Sequence, residues 1–188
     1  IEAAGIKLSV EPPVADASDK NILTFKENTP RPAVITITGM TEAELENAVV
    51  KTITYTGAET SSDAPINAGT YTVEVVLEGK GNYKGTITKS LGFKIEKRAQ
   101  DIPNFSISKE TVAFGGEVPV VTKDATSEPK GEYEYTSSNT AVATIDSKTG
   151  AIEVKGLGET TIRLKFAETA NYKESYKDIK LTVTKGLQ

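Results

Sequence analysis

The sequence predicts an all-β protein made of two tandem antiparallel β-sandwiches joined by a short linker. Its 188 residues exceed the roughly 100 to 150 residues of an ordinary single domain. Apolar and polar residues alternate over several short segments, and helices long enough to connect parallel strands are missing between them. A short motif that begins at Asn82 also returns at Asn171, 89 residues further along.

Four segments show a period of two in hydrophobicity, in which every second residue is apolar. The alternate positions are mostly polar or charged, so each segment is predicted to be a strand with one face in water. The apolar faces comprise Tyr71, Val73, Val75 and Leu77; Leu91, Phe93 and Ile95; Ile162, Leu164 and Phe166; and Ile179, Leu181 and Val183.

A hairpin is predicted in the second half of the chain. Asp146 has the side chain that opens a type I turn, and Gly150 can take the positive φ that closes a bulged hairpin. Its two arms are expected at residues 143–145 and 152–154. Short strands separated by such turns favour an antiparallel sandwich.

One short helix is predicted in a loop between strands. Thr41 and Glu44 have the spacing of a capping box, and the apolar residues Leu45 and Ala48 follow them. The pattern is long enough for about one or two helical turns.

The recurring motif sets the predicted domain boundary. Residues 82–84 (Asn-Tyr-Lys) return as residues 171–173, and each copy precedes an alternating strand. Those strands end at Lys97 and Lys185. Two copies of one closing hairpin, each completing a domain, explain this spacing.

We therefore predict two domains, residues 1–98 and 99–188, with the junction between Lys97 and Asp101. This linker contains neither Gly nor Pro. We expect it to restrict the relative orientation of the domains and to give a semi-rigid rod.

Composition excludes several functional classes. A net charge of -4 and a pI near 5.1 give no attraction to phosphate backbones, so no nucleic acid is expected as a partner. Apolar runs fall far short of the ~20 residues that span a bilayer, so no membrane insertion is expected. The chain begins at Ile1 without a signal sequence or anchor, and we expect a monomeric piece of a longer protein.

The second half contains a distinctive series of residues. Residues 137–146 read SSNTAVATID, residues 149–150 read TG, and residues 156–162 read GLGETTI. This pattern closely resembles the group 2 bacterial immunoglobulin-like domain and covers most of residues 99 to 185.

The first half resembles a related family. Residues 67–73 (NAGTYTV) and 81–85 (GNYKG) look like the MBG modules, another immunoglobulin-like repeat of bacterial surface proteins. This resemblance extends from about residue 54 to residue 97, and residues 1–33 depart from it. Together the two resemblances imply immunoglobulin-like β-sandwiches, an extracellular or cell-surface location, tandem repetition, and use as stalks or adhesive tips.

The residue types argue against an enzyme. The chain has no His and no Cys, and it shows no motif for Ser/Lys or paired-carboxylate catalysis. Residues 61–63 (Ser-Ser-Asp) are typical of a polar turn, and residues 79–81 (Gly-Lys-Gly) lack the spacing and the helix of a phosphate-binding loop. We predict no catalytic residues and no cofactor.

No metal site is predicted either. Residues 146–150 (DSKTG) lack the alternating Asp and Asn ligands of a calcium loop, while Asp16 and Asp19 would at most contribute to a cation site shared with other segments. Lys and Asn are abundant, so an intramolecular Lys to Asn isopeptide bond is chemically open, although the sequence does not pair the residues.

Tyrosines are the candidates for ligand binding. Tyr133 and Tyr135 fall on one face of a predicted strand, and a neighbouring Tyr176 is the candidate to complete a platform that stacks on sugars. Three further tyrosines occupy repeated motif positions, where packing across a hairpin is the simpler interpretation. These are Tyr71, Tyr83 and Tyr172.

The leading hypothesis is a non-catalytic structural and adhesive spacer within a larger bacterial cell-surface or secreted protein. One alternative is a module that binds a host glycan or an extracellular protein. Another is an accessory domain of an exported hydrolase. An exposed cluster of two or three aromatic residues would favour the binding module.

Overall fold

The computed structural model describes residues 6–14, 22–81, 83–100, 102–124 and 132–186. Internal contacts divide the chain into two compact units, Ile1–Arg98 (unit 1) and Ala99–Gln188 (unit 2). Strands dominate both units, and the described residues contain a single short helix. The predicted all-β class is confirmed.

Unit 1 contains seven described strands and the helix. They are β1 (Lys7–Glu11), β2 (Ile22–Thr24), β3 (Val34–Thr38), α1 (Glu42–Ala48), β4 (Val49–Thr56), β5 (Thr60–Ser61), β6 (Gly69–Gly79) and β7 (Thr86–Glu96). Five of the strands form one sheet in the order β2-β7-β6-β4-β5, and β1 pairs with β3. All of these pairs are antiparallel except β2 with β7.

The core of unit 1 follows the predicted alternation. Val73, Val75 and Leu77 of β6 are fully buried, and β7 adds Phe93 and Ile95 from the same side of the sheet. Strands β2 and β4 of the same sheet, strand β1 of the opposing pair, helix α1 and one loop contribute further buried residues, so one face of the five-stranded sheet is dry. They include Leu8, Leu23, Phe25, Ala48, Val49 and Tyr55.

Helix α1 has the predicted capping box. The backbone N–H of Glu44 donates to Thr41 Oγ1 at 3.3 Å, and the Glu44 carboxylate accepts from the backbone N–H of Thr41 at 2.8 Å. This reciprocal pairing satisfies two N–H groups that have no partner within the helix. The helix ends at Ala48, where the chain continues directly into β4.

Unit 2 consists of eight described strands. They are β8 (Phe105–Ile107), β9 (Thr111–Ala113), β10 (Val121–Lys123), β11 (Tyr133–Ser137), β12 (Ala143–Ile145), β13 (Ile152–Val154), β14 (Gly158–Phe166) and β15 (Ser175–Thr184). A four-stranded sheet has the order β11-β14-β15-β9, and the pairs β8-β10 and β12-β13 complete the unit. Residues from every sheet contribute to one buried cluster, as expected of a sandwich.

The predicted hairpin of unit 2 is confirmed in position and mechanism. Strands β12 and β13 pair antiparallel, and Asp146 Oδ1 accepts from the backbone N–H groups of Lys148 at 3.0 Å and Thr149 at 2.7 Å. Gly150 closes the turn with a φ of 74°. A Cβ atom at Gly150 would lie 3.2 Å from the Tyr135 ring, so the position requires glycine for space as well as for conformation.

Each unit also contains a parallel pair that the sequence pattern does not reveal. Strand β2 runs parallel to the end of β7, and β9 runs parallel to the end of β15. In both units, therefore, a strand from the early part of the unit lies alongside its last strand.

The start of unit 2 is held in place by a buried amide. Gln100 is 7% exposed, and its Nε2 donates to the carbonyl oxygens of Ala167 at 3.0 Å and Lys173 at 2.8 Å. Both carbonyls lie in the connection between β14 and β15. The chain therefore enters unit 2 beside the beginning of β15.

Candidate functional site

The structure separates the three candidate tyrosines. Tyr135 is 4% exposed and packs with its ring centroid 5.9 Å from that of Phe105, and burial raises the pKa of its hydroxyl. Tyr133 is half-buried, with its ring 5.7 Å from Phe166. Both rings belong to the core side of the sheet, so they do not form an open platform.

Tyr176 lies on the other face of the same sheet, so the expectation that it joins Tyr133 and Tyr135 is wrong. It pairs with Lys165, which in turn pairs with Glu134 of β11, and directly paired residues share a face. Tyr176 is 52% exposed. The sequence already indicated this position for Tyr176, because the inward-facing residues of β15 have odd numbers and Tyr176 has an even number.

An organised surface surrounds Tyr176 on that outer face. We define the Tyr176 patch as Tyr176, Arg163, Asp178, Lys165 and Glu174. The Arg163 guanidinium lies 3.9 Å from the centroid of the Tyr176 ring, a cation–π contact that covers one side of the ring. Lys165 and Glu174 form an exposed ion pair at 3.2 Å.

A bidentate ion pair fixes the guanidinium beneath the ring. Arg163 donates from Nε to Asp178 Oδ1 at 2.7 Å and from Nη2 to Asp178 Oδ2 at 2.8 Å. These bonds lower the pKa of the Asp178 carboxyl and raise the pKa of Arg163. Both groups therefore stay charged near neutral pH, which suits recognition of polar ligands and gives no proton donor or base for catalysis.

A small cleft opens beside Tyr133, with a volume of about 170 Å³. Its lining combines carboxylates and ammonium groups with one aromatic ring. The residues are Glu132, Tyr133, Glu134, Lys148, Lys165 and Ala167. The Lys123 ammonium lies 4.6 Å from the Tyr133 ring centroid, so a protein cation already occupies a position over this ring.

A larger groove of about 640 Å³ lies between α1 and the connection after β6. It is lined by Ala43, Glu44, Asn47, Ala48, Lys80, Gly81 and Tyr83. Two of its polar side chains are already engaged: Glu44 in the capping box, and Asn47, whose Nδ2 donates to the Ala43 carbonyl at 2.8 Å. This leaves few polar groups to orient a ligand.

The remaining candidates occupy structural positions. Tyr71 stacks on Phe93 at 5.7 Å and donates to the Asn67 carbonyl at 2.9 Å, which confirms the packing interpretation for this tyrosine. Ser61 Oγ accepts from the backbone N–H of Asp63, an ordinary turn contact.

The described ranges contain no site for a metal ion and no buried lysine of the kind that favours an isopeptide bond. There, no group of three or more carboxylates, His or Cys lies close enough together to hold a metal ion. Asp16 and Asp19 lie outside the described residues. Every lysine that the structure describes is at least partly exposed, so none occupies the dry core position that would favour condensation with an amide.

Comparisons with known proteins find a similarity within unit 2. Residues 121–168 match a family model described as the immunoglobulin-like domain of intimin. No curated protein matches the chain. Residues 121–168 are thus similar to an immunoglobulin-like module of a bacterial surface adhesin, and the expectation of a bacterial immunoglobulin-like domain is confirmed at that level. The MBG and group 2 assignments stay predictions.

Among solved structures, one similar chain is a C-terminal 282-residue fragment of intimin, solved in complex with the intimin-binding domain of the translocated intimin receptor. The two chains are 16% identical with a TM-score of 0.31, and the match covers 94% of this chain and 64% of the fragment. The receptor is the partner of that fragment.

The described residues include no helix long and apolar enough to cross a membrane.

Proposed function

We propose that the chain is a pair of non-catalytic structural and adhesive spacer modules from a larger bacterial cell-surface or secreted protein. In this proposal residues 1–98 are an MBG-like module and residues 99–188 a group 2 immunoglobulin-like module. The similarity of residues 121–168 to an intimin module supports the surface context. The observation that supports the spacer role is the path of the chain through unit 2.

The chain enters and leaves unit 2 at opposite ends of β15. Gln100 holds the beginning of the unit against carbonyls of Ala167 and Lys173, just before β15 starts. Strand β15 ends at Thr184, four residues before Gln188, the last residue of the unit. Ten residues of extended chain rise roughly 33 Å, so the unit separates whatever is attached to its two ends by about that distance.

The parallel pair beside β15 suits a module that carries tension. The backbone N–H of Thr182 donates to the Glu110 carbonyl at 2.8 Å, and the backbone N–H of Phe114 donates to the Thr184 carbonyl at 2.8 Å. Force applied at the two ends of unit 2 acts along β15. These bonds join β9 to β15 at a slant to that direction, so sliding β15 past β9 loads both of them at once.

A replacement experiment tests the spacer role. In the full-length surface protein, unit 2 is replaced by an unrelated immunoglobulin-like module whose two chain ends are equally far apart. We expect adhesion of whole cells to be retained, since a spacer contributes length and not contacts. Adhesion that is lost in this replacement, but kept when unit 2 is present with Tyr176→Ala, would overturn the proposal.

A second candidate function is glycan or protein binding at the Tyr176 patch. It rests on one observation: an exposed aromatic ring is held in a fixed orientation by the Arg163–Asp178 pair. A glycan and matrix-protein array should then show binding that Tyr176→Ala removes and that Tyr133→Ala, which alters the core side, retains. An array without signal for the unaltered chain would remove this candidate and leave the spacer proposal standing.

A further inference from the structure

Strand β4 has an open edge. On one side it pairs with β6 along its whole length, from Val49 opposite Gly79 to Thr56 opposite Thr72. On the other side β5 pairs only with Tyr55 and Thr56. Among the residues that the structure describes, no strand pairs with residues 49–54 on that side. An unpaired edge of this length is a template for adding a further strand.

The direction of the backbone groups on this edge follows from the hydrogen-bond phase. The backbone N–H of Lys80 donates to the Ala48 carbonyl at 2.8 Å, in the register of the β4–β6 ladder. In an antiparallel ladder the bonded pairs alternate, so every second residue of β4 points its N–H and C=O groups away from β6. Lys51 and Ile53 are two such residues, and their backbone groups face the open edge.

The Lys51 side chain is placed unusually for a charged residue. It pairs with Leu77, which is fully buried, and it shares the core-facing side of β4 with the buried Val49 and Tyr55. Lys51 itself is exposed, and no strand of the described residues covers this part of the sheet. No ion pair joins Lys51 to any carboxylate of the described residues.

We propose that Lys51 keeps the open edge of β4 from pairing with β4 of a second copy of this chain. Paired antiparallel about a two-fold axis, the two strands place Lys51 opposite the partner's Lys51 or opposite an apolar residue, the partner's Ile53 or the partner's Val49. The first arrangement places two lysines directly opposite each other, with Cβ atoms about 5 Å apart, so that their like charges repel. The second covers the ammonium group with apolar surface and leaves it unpaired. Both arrangements oppose the dimer.

Unit 2 protects its corresponding edge in a different way. The edge strand β11 is partly covered by the β12–β13 turn, because the backbone N–H of Tyr135 donates to the Ser147 carbonyl at 2.9 Å. The Ser137 hydroxyl donates to the Ala143 carbonyl at 2.7 Å on the same side. Unit 1 has the short strand β5 where unit 2 has this hairpin, and β5 pairs only with the end of β4. In unit 1, therefore, a charge on β4 protects the part of the edge that the hairpin covers in unit 2.

The test measures self-association of the full 188-residue chain by sedimentation velocity over a concentration series. Lys51→Ile should raise the association constant by roughly a hundredfold, with new hydrogen-exchange protection at positions 51 and 53. Lys51→Arg should behave as the unaltered chain does. Lys94→Ile is the matched control, since Lys94 is also exposed on this sheet but has a paired strand on each side.

Lys51→Thr guards against a fold defect in Lys51→Ile, because threonine is neutral and suits a strand. Association of both neutral variants with protection at the β4 edge supports the proposal. Monomeric behaviour of both variants, with melting like the unaltered chain, overturns it. Equal association of Lys94→Ile or Lys51→Arg, or a dimer without protection at positions 51 and 53, also overturns it. None of these outcomes depends on the spacer role.

Discussion

Unit 1 and unit 2 share a closing frame of three strands, β6, β7 and β2 in unit 1 and β14, β15 and β9 in unit 2. They differ in the elements that surround this frame. The buried residues of β6 recur 89 positions later in β14, where Val73, Val75 and Leu77 correspond to Ile162, Leu164 and Phe166. The early strands that run parallel to the last strand, β2 and β9, obey the same spacing. Between these shared elements, unit 1 has α1 and the short β5, while unit 2 has the β12–β13 hairpin.

The two phenylalanines that follow the parallel strands show what this difference does. Phe25 and Phe114 occupy equivalent positions, and each backbone N–H donates to a carbonyl of the last strand, Glu96 or Thr184. Phe25 is 3% exposed and Phe114 is 50% exposed. In unit 1 the Arg31 guanidinium donates to the Thr24 carbonyl beside Phe25. The shared frame therefore fixes the backbone in both units, and the surrounding loops determine which side chains are buried.

Polar substitutions in the shared core should have the largest effect. Val75→Asn and Leu164→Asn each place an amide at a fully buried position, at a cost of about 4 kcal/mol or more. We expect each variant to unfold its own unit and leave the other folded. Hydrogen-exchange mass spectrometry of each unit is the measurement. Loss of protection in both units from one substitution would contradict two independently closed frames.

The two phenylalanines should show the next largest difference, in the free energy of unfolding that each alanine substitution costs. Phe25→Ala removes a buried ring and should lower the free energy of unfolding of unit 1 by about 3 to 5 kcal/mol. Phe114→Ala should cost unit 2 about 1 kcal/mol or less. Urea denaturation of each variant, monitored by unit-specific exchange, checks the pair. Equal costs would show that exposure does not distinguish the two loops.

Two glycines with positive φ sharpen the comparison between turns. Gly81→Ala meets nothing within 4 Å, so only the left-handed backbone opposes it, at about 1 kcal/mol. Gly150→Ala has the same backbone cost and also pushes a Cβ atom against the Tyr135 ring at 3.2 Å, for about 2 to 3 kcal/mol in total. Denaturant midpoints of the two variants test this order, which would be wrong if Gly81→Ala proved the more costly.

Acid should weaken unit 2 more than unit 1, as the smallest of these effects. In unit 2, hydrogen bonds to Thr149 and Lys148 lower the pKa of Asp146, and Arg163 lowers that of Asp178. A carboxyl with a lowered folded pKa stabilises above its unfolded value, near 4, and loses that contribution as the pH falls through the folded value. In unit 1 the pKa of Glu44 is lowered in the same way.

Unit-specific melting between about pH 6 and pH 3 measures this difference, with the window set by the ordinary carboxyl pKa. Asp178→Asn should flatten the acid response of unit 2, because it removes one of the titrating groups. A response in unit 1 as steep as that in unit 2 would contradict the assignment of these pairs.

Local patterns allowed the strands, the hairpin and the capping box to be predicted from the sequence. Alternation reports which residues of a strand face inward, and turn chemistry reports where the strand ends. Neither reports which strand lies alongside, so the parallel pairs β2–β7 and β9–β15 were not predicted. Gln100 was also missed, because a glutamine in a linker gives no sign that its amide will bind two carbonyls.

The candidate site was predicted only in part, for a related reason. Tyr133 and Tyr135 were assigned to one face of a strand, but the sequence does not say whether that face is dry or wet. The surrounding rings of Phe105 and Phe166 make it dry. Tyr176 is exposed because it is out of phase with the inward residues of β15, a signal that the sequence did contain.

Single-molecule force spectroscopy of the full chain, held by its two ends, tests most directly whether unit 2 bears load along β15. Phe114→Pro removes the N–H that donates to the Thr184 carbonyl, while Phe114→Ala keeps it. The account predicts two unfolding events, one of which moves to lower force in Phe114→Pro and stays unchanged in Phe114→Ala. Unfolding of Phe114→Pro at the force of the unaltered chain would contradict a load-bearing spacer.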